Sequence, residues 1–208
     1  MSKKKILFYT GSRADYSLLK TLIDILKFKQ DLILVVGPHH FSKKFGNSYK
    51  EIEKKNIYKI VKSKIKINYS NVDIPKFISQ SVYKYKKILE KYKPSMVVLL
   101  GDRYETLSFA IASFFSNIKI CHFHGGELTK GSFDDTIRHM ITKLSNYHFV
   151  CSEKYRKRVI KMGENKKNVF NFGSIGAEKA IKSANLLKKN LFNKFKLDLN
   201  KKTILITF

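Results

Sequence analysis

Short apolar runs alternate with longer amphipathic stretches along most of this chain, and this alternation restricts the fold more than any other feature. The runs KILFYT (5–10), LILVVG (32–37) and SMVVLLG (95–101) have the length and composition of buried strands. The stretches 14–28 and 77–92 carry apolar residues at helical spacing. Strand–helix–strand repeats of this kind predict an α/β fold, a Rossmann-like parallel sheet with helices on both faces.

The same pattern predicts the other elements of this domain, to which we assign residues 1–175. Further strands are expected at 56–61, 118–125, 147–152 and 169–174, helices at 106–117, 135–145 and 153–163, and a helix within 38–56. Residues 176–202 are rich in Lys and Asn and are predicted to be a connector with helical patches.

The last apolar run, TILITF (203–208), resembles the first strand together with its basic lead-in. An apolar strand with nothing after it is a poor end to a domain, because its edge stays unpaired. We therefore expect 203–208 to be the first strand of a second, C-terminal domain that this chain lacks. Docking as an edge strand of the one domain is the alternative.

Composition allows a packed domain and excludes several classes of protein. The 208 residues are 43% apolar and include 16 Phe and 11 Tyr, enough for a sizeable core. No apolar run approaches the ~18 residues of a membrane span, and the run before Gly11 is too short for a signal peptide. Cys121 and Cys151 are isolated, so a disulfide framework is not indicated and a reduced, cytoplasmic protein is expected.

The net charge of +26 comes overwhelmingly from Lys scattered along the whole chain. This distribution favours solvated faces over a groove that follows phosphates, and neither zinc-finger spacing nor an RNP-type aromatic motif is present. We therefore expect neither a nucleic-acid nor a membrane partner. A basic nucleic-acid-binding module stays as the alternative from another class.

Polar motifs follow several predicted strands, where ligands bind in open α/β sheets. GSRADY (11–16) comes after the first strand and offers a tight turn, a helix amino terminus and Arg13 to a phosphate. Ser12 and Asp15 also have the spacing of a helix capping box, so a structural role is equally open. GDRYET (101–106) follows a central strand; Asp102 and Arg103 there bind a ligand, pair with each other or cap the next helix.

The stretch CHFHGGELTKGSFDDTIRH (121–139) gathers three His, three carboxylates and an Arg within nineteen positions. His122 and His124 are two residues apart on a predicted strand and so share a face. Ser132 and Asp135 again fit a capping box, which would make one of the paired aspartates structural. Carboxylates beside Arg and His are typical of a site that binds an anionic leaving group and moves protons.

A metal site is the competing interpretation of the His-x-His pair followed by acids. The histidines lack the HExxH pattern, and a metal centre would leave the nearby Arg residues unexplained. We therefore expect no metal ligand here. Either histidine taken singly is also consistent with a core residue satisfied by backbone groups.

Together these motifs resemble the hydrolysing UDP-N-acetylglucosamine 2-epimerases of the NeuC type, which make sialic acid precursors. The resemblance extends over nearly the whole chain and is carried by the motifs GSRADYSLL, FGNSYKEIE, GDRYETL, HFHGGELTKGSFDDTIRHMITKLS and NVFNFGSIGAEKA. It implies the N-terminal half of a two-domain, glycosyltransferase-B-like fold that is a homo-oligomer through this half. It also implies conversion of UDP-N-acetylglucosamine and water to N-acetylmannosamine and UDP, by elimination of UDP and then hydration, without a cofactor.

The resemblance also implies roles for individual residues. The catalytic residues would be Asp102, Glu127, Asp134, Asp135 and His124, with the base for the sugar C2 unassigned; some relatives have a glutamate where this chain has His124. The residues that bind UDP or the sugar would be Arg13, Ser17, Arg103, His122, Arg138 and His139.

Two further expectations follow from the resemblance. Because the second domain of the family grips the nucleotide, this chain alone is expected to bind UDP weakly and to turn over little or nothing, or to be a non-catalytic fragment. Enzymes acting on UDP-N,N′-diacetylbacillosamine in legionaminic acid synthesis share these motifs, so that sugar nucleotide is the alternative substrate.

Overall fold

The computed structural model describes residues 3–53, 58–65, 67, 73–129, 131–183, 188–204 and 206. The chain divides into two compact units, one ending at Ser174 and the other beginning at Ile175. The first unit contains a sheet covered by helices, and the described part of the second contains two helices.

A seven-stranded sheet forms the centre of the first unit within the described residues. Its strands are β1 Lys5–Thr10, β2 Asp31–Val36, β3 Lys59–Lys62, β4 Met96–Leu100, β5 Lys119–Phe123, β6 Tyr147–Val150 and β7 Val169–Asn171. All neighbouring strands are parallel, in the order β3-β2-β1-β4-β5-β6-β7. The predicted Rossmann-like parallel sheet is confirmed.

Helices cover both faces of this sheet, as the sequence predicts. They are α1 Arg13–Leu26, α2 Tyr49–Glu53, α3 Ile74–Tyr92, α4 Tyr104–Phe115, α5 Asp134–Leu144 and α6 Glu153–Lys161. Residues of α3, α4 and α5 form a core with one face, and residues of α1 and α2 form a core with the other. In the described part of the chain, no helix has both the length and the hydropathy to cross a bilayer.

Three aromatic side chains join the sheet to α3 and α4. Tyr9 of β1 stacks on Phe109 of α4 at a centroid distance of 4.8 Å and meets Tyr85 of α3 edge-on at 5.4 Å. The Tyr9 and Tyr85 hydroxyls are hydrogen-bonded to each other at 3.0 Å, which satisfies two polar groups buried in this core. This cluster fixes both helices against the central strand.

The order in which the chain adds strands to the sheet changes direction beside β1. From β1 the chain continues to β2 on one side and later returns to β4 on the other, so Ile6 lies between Leu32 and Met96. Loops that follow such a pair of strands diverge and leave a crevice at their carboxyl ends, where open α/β sheets bind ligands.

Some predicted boundaries differ from the observed ones for local reasons. Helix α3 begins at Ile74 instead of 77, because the Asp73 carboxylate accepts a hydrogen bond from the Lys76 amide and Pro75 suits the first turn. Instead of one helix, the segment after β2 forms two 3₁₀ turns, Pro38–Phe41 and Lys43–Phe45, and the short α2. Of the strand predicted at 56–61, positions 56 and 57 lie outside the described residues.

The second unit contains α7 Ile175–Ser183 and α8 Lys188–Phe195. Of the strand predicted at 203–208, positions 205, 207 and 208 lie outside the described residues. Thr203, Ile204 and Ile206 are not in a strand, and Ile204 is 84% exposed. The described residues of this unit include no strand with which they could pair, and an extended segment needs such a partner to be stable.

We expect Phe109→Ala to lower the free energy of unfolding by about 3–5 kcal/mol, because it empties the centre of the aromatic cluster. Phe115→Ala, in the same helix but at a side chain that is 79% exposed, is the matched control and should change it by less than about 0.5 kcal/mol. Urea unfolding followed by circular dichroism measures both values. Equal losses for the two variants would contradict this description of the core.

Candidate active site

A cavity of about 480 Å³ lies where the loops after β1, β4 and β5 meet the beginning of α5. Its volume is within the range of about 300–1,000 Å³ that is typical of small-molecule sites. The polar and charged residues that line it are Ser12, Asp15, Asp102, Arg103, Tyr104, His124, Glu127, Asp134 and Arg138. The structure therefore brings together six residues that the sequence predicted: Asp102, Arg103, His124, Glu127, Asp134 and Arg138.

The loop after β1 is held by the predicted capping box. The Asp15 carboxylate accepts hydrogen bonds from the Gly11 and Ser12 amides at 3.1 and 2.8 Å, and the Ser12 hydroxyl accepts from the Asp15 amide. Burial raises the pKa of Asp15, although these hydrogen bonds favour its charged form. Two amides that an anion would need are therefore already bound to a carboxylate.

Neither of the two other residues predicted in this region lines the cavity. The Arg13 side chain is 70% exposed and pairs with Glu51 at 3.3 Å. Ser17 is half-buried on α1. The roles expected for Arg13 and Ser17 in binding UDP gain no support from their positions.

A buried carboxylate positions Arg103 at the beginning of α4. Glu105 is fully buried and accepts hydrogen bonds from the Arg103 Nε and Nη2 groups, both at 3.3 Å, and from His39 Nε2. Burial alone would raise the pKa of Glu105, but the hydrogen bond from His39 and the positive charge of Arg103 lower it overall. The Arg103 side chain stays 42% exposed and faces the cavity.

Sequence reasoning missed His39 and Glu105, which hold Arg103 beside the cavity. The signals were a carboxylate inside the GDRYET motif and a pair of histidines directly after β2. The second of them, His40, is fully buried and bridges Thr10 Oγ1 at 2.9 Å and Ser48 Oγ at 2.8 Å. It thereby ties the end of β1 to the segment after β2.

Asp102 pairs with Arg138 of α5, and not with its neighbour Arg103. Arg138 is almost fully buried; its Nη1 group also donates to Asp135 Oδ1 at 3.0 Å and its Nη2 group to Thr129 Oγ1 at 3.1 Å. Burial lowers the pKa of this guanidinium. Both of its neighbouring carboxylates stabilise the charge, so Arg138 links the end of β4 to α5.

The two neighbouring aspartates have different environments, and the capping box predicted for Ser132 and Asp135 is wrong. The residue before α5 is Phe133, and Ser132 Oγ accepts instead from the Asp134 amide at 3.2 Å. The Asp135 carboxylate is bound to Arg138 and to the Thr129 amide, and Asp135 does not line the cavity. Asp134 lines the cavity and, among the described residues, has no ion-pair partner for its carboxylate.

The loops after β5 and β6 bring three further groups together. His124 Nδ1 lies 2.9 Å from Glu127 Oε1 and 3.4 Å from Cys151 Sγ. Burial would raise the pKa of Glu127, but hydrogen bonds from His124 and Cys151 lower it overall. Burial raises the pKa of Cys151 to about 12, so its thiol is protonated at neutral pH.

His122 and His139 do not line the cavity. His122 is fully buried, with Nε2 2.8 Å from the Gly101 carbonyl oxygen and Nδ1 3.3 Å from Thr142 Oγ1. Because β5 ends at Phe123 and His124 has a left-handed backbone (φ 66°), the strand alternation that would place both histidines on one face stops between them. His139 is half-buried on α5, and burial lowers its pKa.

The sequence of this chain matches a family of known proteins. The profile of the family described as UDP-N-acetylglucosamine 2-epimerase matches residues 24–208, which is most of the chain. The chain belongs to this family. Its motifs after β4 and β5 therefore lie in the part of the chain that the family profile covers.

Individual relatives in the epimerase family agree with this assignment. The chain is 43% identical to the GDP/UDP-N,N′-diacetylbacillosamine 2-epimerase (hydrolyzing) of Campylobacter jejuni, with 100% of this chain and 55% of that protein covered. It is 40% identical to polysialic acid biosynthesis protein P7 of Escherichia coli, with 86% and 46% covered. The chain spans about half the length of these relatives.

A solved structure of the family has the same fold. The UDP-GlcNAc 2-epimerase of Neisseria meningitidis bound to UDP-GlcNAc matches with a TM-score of 0.75 at 18% identity, covering 92% of this chain and 54% of that chain. This epimerase-family chain therefore has the architecture of about half of a glycosyltransferase-B-like enzyme.

Two buried histidines at the edge of this site should make stability fall in mild acid. Burial lowers the pKa of His40 and of His122 to about 4 from the ordinary 6.5. Between these values the unfolded chain binds more protons, so stability is complete above pH ~6.5 and decreases as pH falls toward ~4, by up to about 1.4 kcal/mol per pH unit for each group.

Urea unfolding at pH 7.5, 6.0 and 5.0 measures this slope. His122→Gln, which keeps a donor for the Gly101 carbonyl, should show a flatter decrease than the parent chain. A free energy of unfolding that stays constant between pH 6.5 and 5.0 in the parent chain would contradict the neutral, buried state of both histidines.

Proposed function

We propose that this chain provides the acid–base half of a hydrolysing UDP-N-acetylglucosamine 2-epimerase. The enzyme would convert UDP-N-acetylglucosamine and water to N-acetylmannosamine and UDP. The observation that carries the proposal is the convergence of Asp102, Glu127 and Asp134, from separate turns, on one cavity that Arg103 and Arg138 also line. Membership of the epimerase family supports it.

The chemistry needs a base near C2 and stabilisation of the departing UDP. In the elimination, a base takes the C2 proton, the C1–O bond to UDP breaks and a double bond forms between C1 and C2. Water then adds across that bond and gives the free sugar. The C2 proton is only weakly acidic, so proton removal and charge stabilisation must act together.

The residues of the cavity offer groups for each of these tasks. Asp134 has no ion-pair partner among the described residues, so it is available to accept a proton. Glu127 is hydrogen-bonded to His124, and this pair can pass a proton between substrate and solvent. Arg103, held by Glu105, presents a guanidinium that can bind the diphosphate.

The product of this reaction suits sialic acid synthesis, and the 40% identity to a relative named for polysialic acid biosynthesis supports that use. The alternative substrate, UDP-N,N′-diacetylbacillosamine, is favoured by the 43% identity to the Campylobacter jejuni enzyme named for that sugar. Both sugars need the same elimination and hydration, so the carboxylates of the cavity serve either.

The two substrates are distinguished by supplying each sugar nucleotide to the longest protein that the gene encodes. We expect NMR of the released sugar to show N-acetylmannosamine from UDP-N-acetylglucosamine. Faster release from UDP-N,N′-diacetylbacillosamine would assign the enzyme to the alternative. Release of no sugar from either nucleotide would contradict the proposed reaction.

In the same protein, Asp102→Asn should lower kcat by ~10²–10⁴-fold, because it removes a carboxylate from the cavity proposed to hold the sugar. Asp24→Asn is the matched control, since Asp24 is a partly exposed, ion-paired aspartate on α1, away from the cavity. It should keep the parent rate. If Asp102→Asn turns over as fast as the control while both circular dichroism spectra match the parent, Asp102 has no catalytic role.

A further inference from the structure

Three side chains at the edge of the cavity carry atoms that can act as metal ligands. These are Nδ1 of His124, a carboxylate oxygen of Glu127 and Sγ of Cys151, and all three atoms lie within 4.8 Å of one another. None of these side chains is fully buried, and both His124 and Glu127 line the cavity. We propose that His124, Glu127 and Cys151 bind a thiophilic divalent cation such as Zn²⁺, with the fourth coordination position open to the cavity.

The ligand distances suit a tetrahedral ion of this size. Bonds of about 2.0–2.1 Å to nitrogen or oxygen and about 2.3 Å to sulfur place neighbouring ligands roughly 3.3–3.7 Å apart. The contact between His124 Nδ1 and Cys151 Sγ is 3.4 Å, and that between Nδ1 and Glu127 Oε1 is 2.9 Å. Because Cys151 Sγ also lies 3.8 Å from His124 Nε2, the thiol is beside the ring, so the imidazole must rotate toward it and the carboxylate must move outward to admit the ion.

The ligand types select the class of metal. A thiolate and an imidazole favour Zn²⁺, Co²⁺ or Cd²⁺ over Mg²⁺ and Ca²⁺, which prefer oxygen ligands. Three protein ligands with a fourth position open to solvent or substrate are typical of accessible zinc sites rather than of closed structural ones. Binding releases the thiol proton of Cys151 to solvent, and the sulfur then bonds the metal as thiolate.

The backbone of the turn that carries two of these ligands is held in place before any ion binds. The His124 amide donates to the Phe149 carbonyl oxygen at 3.0 Å, which fixes the end of β5 beside the end of β6. Arg158 donates to the Gly126 carbonyl oxygen, and a side chain at Gly126 would lie only 2.8 Å from the Tyr155 carbonyl oxygen. The turn that carries His124 and Glu127 is thus packed directly against α6.

This site differs from the one that the sequence pattern suggested and excluded. The His-x-His pair is not the ligand set, because His122 is bound to Gly101 and Thr142 inside the core. The third ligand is instead Cys151, which follows β6 and lies 27 residues from His124 in the chain.

Metal binding and the proposed epimerase reaction would exclude each other, since the ion occupies both Glu127 and His124. Zn²⁺ should therefore inhibit turnover, and a chelator should restore it. This consequence depends on the proposed function, whereas the binding site itself does not, and the two are tested separately.

The binding test is a titration of the untagged, reduced chain with Co²⁺, followed by absorption spectroscopy. We expect one equivalent of Co²⁺ to give the near-ultraviolet charge-transfer band of a thiolate ligand and the strong visible bands of a tetrahedral ion, and Zn²⁺ to abolish both. Cys151→Ser should lose the charge-transfer band. Cys121→Ala, which removes the buried second cysteine of the chain, should keep it.

Glu127→Gln provides a second variant that keeps the thiol. It should retain the charge-transfer band but weaken Co²⁺ binding by roughly an order of magnitude or more, since a charged ligand is lost. Absence of the band in the parent chain, its persistence in Cys151→Ser or unchanged affinity in Glu127→Gln would overturn the proposal. None of these outcomes depends on turnover, so an inactive chain can still reveal the site.

Discussion

The acidic side of the cavity depends on the ion pairs that the buried guanidinium of Arg138 forms with two aspartates. An unpaired charge at this depth would cost several kcal/mol, so Arg138 is stable there only with Asp102 and Asp135 beside it. Asp102 follows β4 and Asp135 begins α5, and the shared cation therefore fixes the spacing between these two elements. The position of Asp102 in the cavity is set by this pairing as much as by the strand before it.

The acids of this region divide into structural and available groups by what they bind. The Asp15 carboxylate accepts hydrogen bonds from two backbone amides. The Asp135 carboxylate accepts hydrogen bonds from one amide and from Arg138. Asp134 faces the cavity without an ion-pair partner in the described part of the chain. A count of the carboxylates in the motifs therefore overstates the number of groups that can transfer protons. The hydrogen bonds of each carboxylate show whether it is available.

The fold and the place of the candidate site in it could be predicted from the sequence, but the contacts that build this cavity could not. Burial on both faces of a parallel sheet requires continuous apolar runs, so strands such as Lys5–Thr10 were predicted at their observed bounds. Each of His39 and Glu105 stands in a recognisable motif, but their pairing joins positions 66 residues apart, and no local pattern predicts it. The capping box predicted for Asp135 was wrong because Arg138, one turn later, competes for that carboxylate.

The register of the sheet determines which loop residues lie next to each other at the carboxyl ends of the strands. Phe123 pairs with Phe149, so the residues that follow β5 and β6 emerge side by side, and Cys151 meets His124 although the sequence shows it as an isolated cysteine. Because this register places His124 and Cys151 beside Glu127, the Glu127 carboxylate can take part either in proton transfer or in binding a cation. Acid–base catalysis needs its oxygen free to exchange protons with the substrate, whereas a bound metal would hold that lone pair. The proposed reaction and the proposed metal site together therefore predict turnover only while thiophilic metals are scarce.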